Sequence, residues 1–176
     1  AGKAAMDELF AQSRDYLNEK KIVSKNFTKQ IAFNLIPHVD SFSNDGYTKE
    51  ELKMINETKK ILNESIDVSA TCVRVPVKTG HSESINIEFI NSFNLENVKK
   101  ILGNTPGCTV IDEQKDGGYI TPLESEGSHS TYISRIRKDN SNTKAINIWV
   151  VSDNLLKGAA LNAVQIAETL IKKKLI

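Results

Sequence analysis

VSATCVRVPVKTGHSESINIEFI, residues 68–90, contains two extended-looking runs separated by a Lys-Thr-Gly break, and how it is partitioned decides the fold. In the second run Ile85, Ile87 and Phe89 alternate with Ser84, Asn86 and Glu88. A period of two with one apolar set predicts a strand with one face in a core. The first run is apolar too, and it predicts a second strand. Arg74 sits between Val73 and Val75 and shares a face with Cys72 and Ala70. Burying an unpaired guanidinium is costly, so Arg74 must reach water or meet an anion. His81 follows seven residues later, directly after Gly80.

Upstream, the chain reads helical. Ala4 to Lys20 is rich in helix formers, with Leu9, Phe10, Tyr16 and Leu17 available for a buried stripe. The apolar stretch QIAFNLIPHVD ends near Pro37 and gives way to a polar turn. Thr48 and Glu51 have capping-box spacing, which predicts a helix from Thr48 to about Asn63 with Leu52, Ile55 and Leu62 facing inward. Downstream, Leu95 to Leu102 predicts a short helix stopped by Gly103. CTVIDE, TYISRIRKD and AINIWVVSD predict strands, and a final helix is expected from about Asn154 to Lys174. Strands clustered after the first helices favour an α+β layer with a mainly antiparallel or mixed sheet covered by helices. There is no internal repeat.

The 176 residues suit one well-cored domain. Charges nearly cancel, 23 basic against 22 acidic, and no basic stripe interleaved with aromatics appears, which argues against a nucleic-acid partner. Apolar runs such as 146–151 are too short to span a bilayer. Two cysteines in unlike contexts suit thiols in a reducing compartment, so a cytoplasmic location is expected. The opening AGKAAMDELF starts inside a helical pattern without its own cap, which suggests a piece of a longer chain.

Several residues could bear chemistry. Glu50 and Lys53 lie three apart in the first turn of the capped helix and share a face. They are either a surface ion pair or a polar clamp for a zwitterionic or phosphorylated ligand, and spacing does not choose between these. Arg74 is either a cation reaching solvent or a planar fork for a carboxylate. His81 is either a turn residue or an acid/base group, the role an imidazole suits near neutrality. His38 and His129 sit in polar loops, and Cys72 reads as a small buried hydrophobe. Cys108 has no activating neighbour in sequence. No His or Cys pair has metal-ligand spacing, so no metal site is expected. No GxGxxG unit is present to hold a dinucleotide.

Taken together, AGKAAMDEL, FNLIPHVDSF, GYTKEELKMINETKKIL, VSATCVRVPVKTGHSESINIEF, YITPLES, TYISRIRKD and WVVSDNLLKGAALNAVQIAETLI span nearly the whole chain. In that order they resemble the bacterial aspartate-β-semialdehyde dehydrogenases. The resemblance implies NADPH-dependent reductive dephosphorylation of L-aspartyl-4-phosphate to L-aspartate-4-semialdehyde, in lysine, threonine, methionine and diaminopimelate biosynthesis. It implies a fold like the C-terminal domain of glyceraldehyde-3-phosphate-dehydrogenase-type enzymes. Residues 1–152 would form a catalytic and dimerisation domain. Residues 153–176 would form a helix that packs on a nucleotide-binding domain.

By the same resemblance His81 is the catalytic acid/base, Arg74 binds the substrate α-carboxylate and Glu50 its α-ammonium. Lys53 binds phosphate, Asn154 touches the NADP cofactor, and the chain pairs as a homodimer. The nucleotide-binding half and the nucleophilic cysteine have no counterpart among these residues, and Cys72 matches a buried strand cysteine. The segment alone is therefore expected to be inactive and to bind no NADP. Two other readings stand beside this one: an N-acetyl-γ-glutamyl-phosphate reductase-like enzyme, and a non-catalytic module that dimerises or binds an acidic amino acid.

Overall fold

The computed structural model describes residues 2–176. They form two units, the first ending at Pro76 and the second running from Val77 to Ile176.

The first unit opens with α1 (Gly2–Leu17). Leu9 is buried, but Phe10, Tyr16 and Leu17 are each more than half exposed, so the expected apolar stripe is mostly absent. Polar residues take its place. Glu8 and Gln12 are buried and accept backbone N–H groups from the irregular segment that follows. The Glu8 carboxylate accepts from Lys25 at 3.1 Å and Asn26 at 2.6 Å. Gln12 Oε1 accepts from Ile31 at 2.9 Å and Ala32 at 3.2 Å. A segment without regular structure has backbone donors to satisfy, and these two side chains satisfy them. They thereby seat Ile31, Ala32 and Ile36 against Leu9, with Met6 and Phe27 alongside.

α2 (Lys49–Ile61) starts as the sequence predicts, with the Thr48–Glu51 capping box complete in both directions. Leu52 and Ile55 are half-buried on it, whereas Leu62 is exposed.

The 68–77 run is the main correction. It forms no strand of the sheet; only a single bridge joins Arg74 to Ile36. Arg74 N–H donates to the Ile36 carbonyl at 2.8 Å, and Ile36 N–H returns to Arg74 at 3.1 Å. Pro76 has no N–H with which to extend that ladder, and the Cys72 N–H is already held by Glu51.

The second unit is built on a four-stranded mixed sheet of order β1-β4-β3-β2. Its strands are β1 (His81–Glu88), β2 (Cys108–Val110), β3 (Thr131–Lys138) and β4 (Ala145–Ser152). β4 is antiparallel to both neighbours, and β2 is parallel to β3. Strand alternation puts Ile85 and Ile87 with Ile133, Ile146 and Ile148 in one core. α3 (Leu95–Asn104) covers this face through Leu95, Val98 and Leu102. Gly103 lies inside α3, which closes on Thr105 rather than on the glycine.

CTVIDE yields only the three residues of β2, because Asp112 turns its carboxylate to the neighbouring strand. Its Oδ1 accepts Ile136 N–H, at the register shift between Ser134 and Arg137 where Arg135 has φ 55°. After β2 comes the short α4 (Pro122–Ser125). The expected C-terminal helix is split into a π-helical turn over Leu156–Ala160 and α5 (Leu161–Lys172). Asn154 thus sits before the helix, in the turn leaving β4. Among the described residues, no helix is long and apolar enough to cross a membrane.

Candidate functional site

In the first unit, α2 presents Glu50 and Lys53 from consecutive turns. Lys53 Nζ lies 3.8 Å from Glu50 Oε1, with the side chains 55% and 33% exposed. An exposed pair this loose is worth about 0–1 kcal/mol, so both charges remain available to a ligand. Arg74 is half-buried, with its guanidinium carbon 5.9 Å from the centroid of the Phe27 ring. It closes no ion pair among the described residues. The exposed Asp40 feels its charge: the Ser41 N–H chiefly holds that carboxyl below its usual range, and Lys49 and Arg74 add to the effect.

One carboxylate joins the two elements that carry these groups. Glu51 is buried; its Oε2 accepts Thr48 N–H and its Oε1 accepts Cys72 N–H, both at 2.8 Å. Those two donors, Thr48 first, keep its carboxyl below the ordinary glutamate value. A depression of about 390 Å³ opens beside this junction, lined by residues that include Phe42, Tyr47, Thr48, Glu51 and Ala70. None of Glu50, Lys53 and Arg74 lines it.

In the second unit His81 is the exposed first residue of β1, paired with Ser152. Gly80 before it has φ 96°, a conformation that disfavours a side chain. A Cβ there would lie 3.3 Å from both Pro122 Cβ and the Ser152 carbonyl oxygen. Gly80 N–H donates to Asn154 Oδ1 at 2.9 Å, so the structure joins Asn154 directly to the residue preceding His81. With its oxygen held by Gly80, the Asn154 amide keeps its two N–H donors for another group.

Asp153 anchors this turn. Its buried carboxylate accepts from Gly127 at 2.8 Å, Leu155 at 2.7 Å and Leu156 at 3.0 Å. The Gly127 N–H leads in lowering its pKa; burial opposes this, and Leu155 and Leu156 assist. Sequence reasoning passed over Glu51 except as a helix cap, and passed over Asp153 altogether. The only signal for Asp153 is an acidic residue between a strand end and a helix. Cys108 packs against the sheet core, and Cys72 is half-buried. Among the described residues, no group of three His, Cys, Asp or Glu side chains could hold a metal ion.

Residues 1–157 match the family described as semialdehyde dehydrogenase, dimerisation domain. The chain belongs to this family. Its relatives include the aspartate-semialdehyde dehydrogenase of Rickettsia bellii, 52% identical over 98% of this chain and 51% of the relative. A crystal structure of aspartate semialdehyde dehydrogenase II from Vibrio cholerae, complexed with ASA, superposes with a TM-score of 0.91. That match is 44% identical and covers 97% of this chain and 51% of the other. The Candida albicans enzyme, solved with NADP, gives a TM-score of 0.66 at 28% identity over 84% of this chain and 47% of the other. The chain thus spans about half the length of the semialdehyde dehydrogenases it matches.

Proposed function

We propose that this chain supplies the substrate-binding and acid/base half of a cytoplasmic aspartate-semialdehyde dehydrogenase. The enzyme converts L-aspartyl-4-phosphate to L-aspartate-4-semialdehyde and phosphate with NADPH, and runs the reverse reaction. The observation that carries this reading is the charge set of the first unit: Glu50 and Lys53 only loosely paired, and Arg74 without an ion-pair partner among the described residues. The substrate has an α-carboxylate, an α-ammonium and an acyl phosphate. The planar Arg74 fork suits the carboxylate through two parallel hydrogen bonds. Glu50 takes the ammonium and Lys53 the phosphate. Each such charge-assisted bond is worth about 1.5–3 kcal/mol, more than the exposed Glu50–Lys53 pair it replaces.

The nucleophile is a cysteine thiolate of the nucleotide-binding half. Its sulfur bonds to the acyl carbon as the C–O bond to phosphate breaks, giving a thioester. His81 activates the thiol by accepting its proton, gives that proton to the hemithioacetal oxygen formed when the thioester is reduced, and takes it back as the C–S bond breaks to release the aldehyde and the thiolate. NADPH supplies the hydride for that reduction. Asn154 fits a contact with the nicotinamide carboxamide, because its free N–H donors match a carbonyl acceptor.

Residues 1–152 serve catalysis and dimerisation, and 153–176 pack on the nucleotide-binding domain. The apolar residues of α5 support the latter: none is buried, and Val164, Ile166 and Ile171 are each more than half exposed. The homodimer forms through the sheet of the second unit. Without the other half, the chain turns over no substrate and binds no NADP.

Kinetics of the dehydrogenase that contains this chain test the reading. Arg74→Lys keeps the charge but loses the fork, and it should raise KM for L-aspartate-4-semialdehyde by about ten- to a hundredfold. An unchanged KM would refute the carboxylate assignment.

A further inference from the structure

We infer that Glu51 is a positioning residue that sets the spacing between Arg74 and the Glu50–Lys53 pair, beyond its part in capping α2. The inference rests on the function proposed for those three residues. Glu51 follows Glu50 directly, and its two oxygens are divided between two elements. Oε2 accepts Thr48 N–H at 2.8 Å, at the start of the helix that presents Glu50 and Lys53. Oε1 accepts Cys72 N–H at 2.8 Å, two residues before Arg74. Among the described residues, the segment bearing Arg74 has a ladder of one bridge, to Ile36, and Pro76 cannot extend it.

A buried carboxylate with both oxygens engaged is a short, rigid tie. Capping alone does not need both oxygens. In the second capping box, at Thr121, the Thr121 N–H and hydroxyl both donate to Glu124 Oε2, each at 2.8 Å.

This difference supplies the test. Glutamine also serves at the third position of a capping box, so Glu51→Gln preserves the cap. Its amide has one oxygen where Glu51 has two: with that oxygen turned to the Thr48 N–H, the NH₂ stands in the place of Oε1 and faces the Cys72 N–H, another donor. The 68–77 segment should then shift relative to α2. In the dehydrogenase that contains this chain, Glu51→Gln is expected to raise KM for L-aspartate-4-semialdehyde about tenfold, with kcat changed less than about threefold. Glu124→Gln serves as the control for loss of a capping carboxylate and should leave both constants within about twofold.

If Glu51→Gln leaves KM at the wild-type value while Arg74→Lys raises it, the positioning role is overturned and the function stands. If neither substitution moves KM, the function assigned to Arg74 and the positioning role that rests on it are both overturned. If Glu51→Gln lowers kcat and KM effects are absent, the tie does not act through substrate binding and the inference is rejected. Should Glu51→Gln reduce yield, Cys72 amide exchange in the folded remainder reads the same tie directly: faster exchange supports it, and unchanged protection overturns it.

Discussion

Gly80 carries the sharpest residue-scale demand. Its φ of 96° and the 3.3 Å approaches of Pro122 and the Ser152 carbonyl leave no relaxed place for a side chain. Gly80→Ala should cost about 1–3 kcal/mol in urea unfolding, and if His81 has the proposed acid/base role it should also lower kcat of the proposed dehydrogenase by displacing that residue. Stability within about 0.5 kcal/mol of wild type would contradict the strain argument. The residue types at the candidate site were legible in the sequence. Arg74 stood out as a cation in an apolar run, and His81 as an imidazole after a glycine. Their geometry was not legible. The cap made by Glu51 is local and visible at i,i+3 spacing, whereas its bond to Cys72 spans 21 residues and leaves no local mark.

At the scale of elements, period-two alternation identified the strands that have one face in a core, such as β1 with Ile85 and Ile87. The 68–77 run is also apolar, but among the described residues it finds only the single bridge from Arg74 to Ile36, so apolar content misled. The C-terminal helix was expected from its composition, but no local signal marks the π-helical turn that delays it. Several elements are tied by carboxylates, which makes their stability depend on pH. For Glu8, burial pushes the carboxyl up, but N–H donation from Asn26, Lys25 and Phe27 outweighs it and the pKa falls below 4.5. Glu51 likewise lies below 4.5 and Asp153 below 3.8. Asp139, held by Ser141 and Asn86, falls from 3.8 to about 2.

A carboxyl with a depressed folded-state pKa binds protons more readily when unfolded. Its stabilisation is complete above the unfolded value and is lost as pH falls through the folded one. The urea midpoint should therefore stay flat down to about pH 5 and decline steadily toward about pH 2. Glu8→Gln should make that decline shallower. A midpoint that holds or rises on acidification through this range would show that these carboxylates do not bind as described.

At the scale of the whole molecule, the sequence predicted one α+β domain, and the α+β class and the mixed sheet are what the fold displays. The division after Pro76 was not legible, because the alternating valines Val73, Val75 and Val77 carry one strand-like pattern across it. The two units divide the proposed chemistry, with the substrate charges on the first and the acid/base and cofactor contacts on the second. A C-terminal helix without buried residues leaves an apolar face of the kind the proposed nucleotide-binding domain would cover. The most direct test is phosphate-dependent formation of NADPH from L-aspartate-4-semialdehyde and NADP. It should be run on the 176-residue chain alone, on the same chain joined to a nucleotide-binding half, and on the joined form with His81→Ala. The account predicts no turnover from the chain alone, turnover from the joined form, and a loss of about a hundredfold or more with His81→Ala. Turnover by the isolated chain, or an His81→Ala enzyme as fast as its parent, would contradict it.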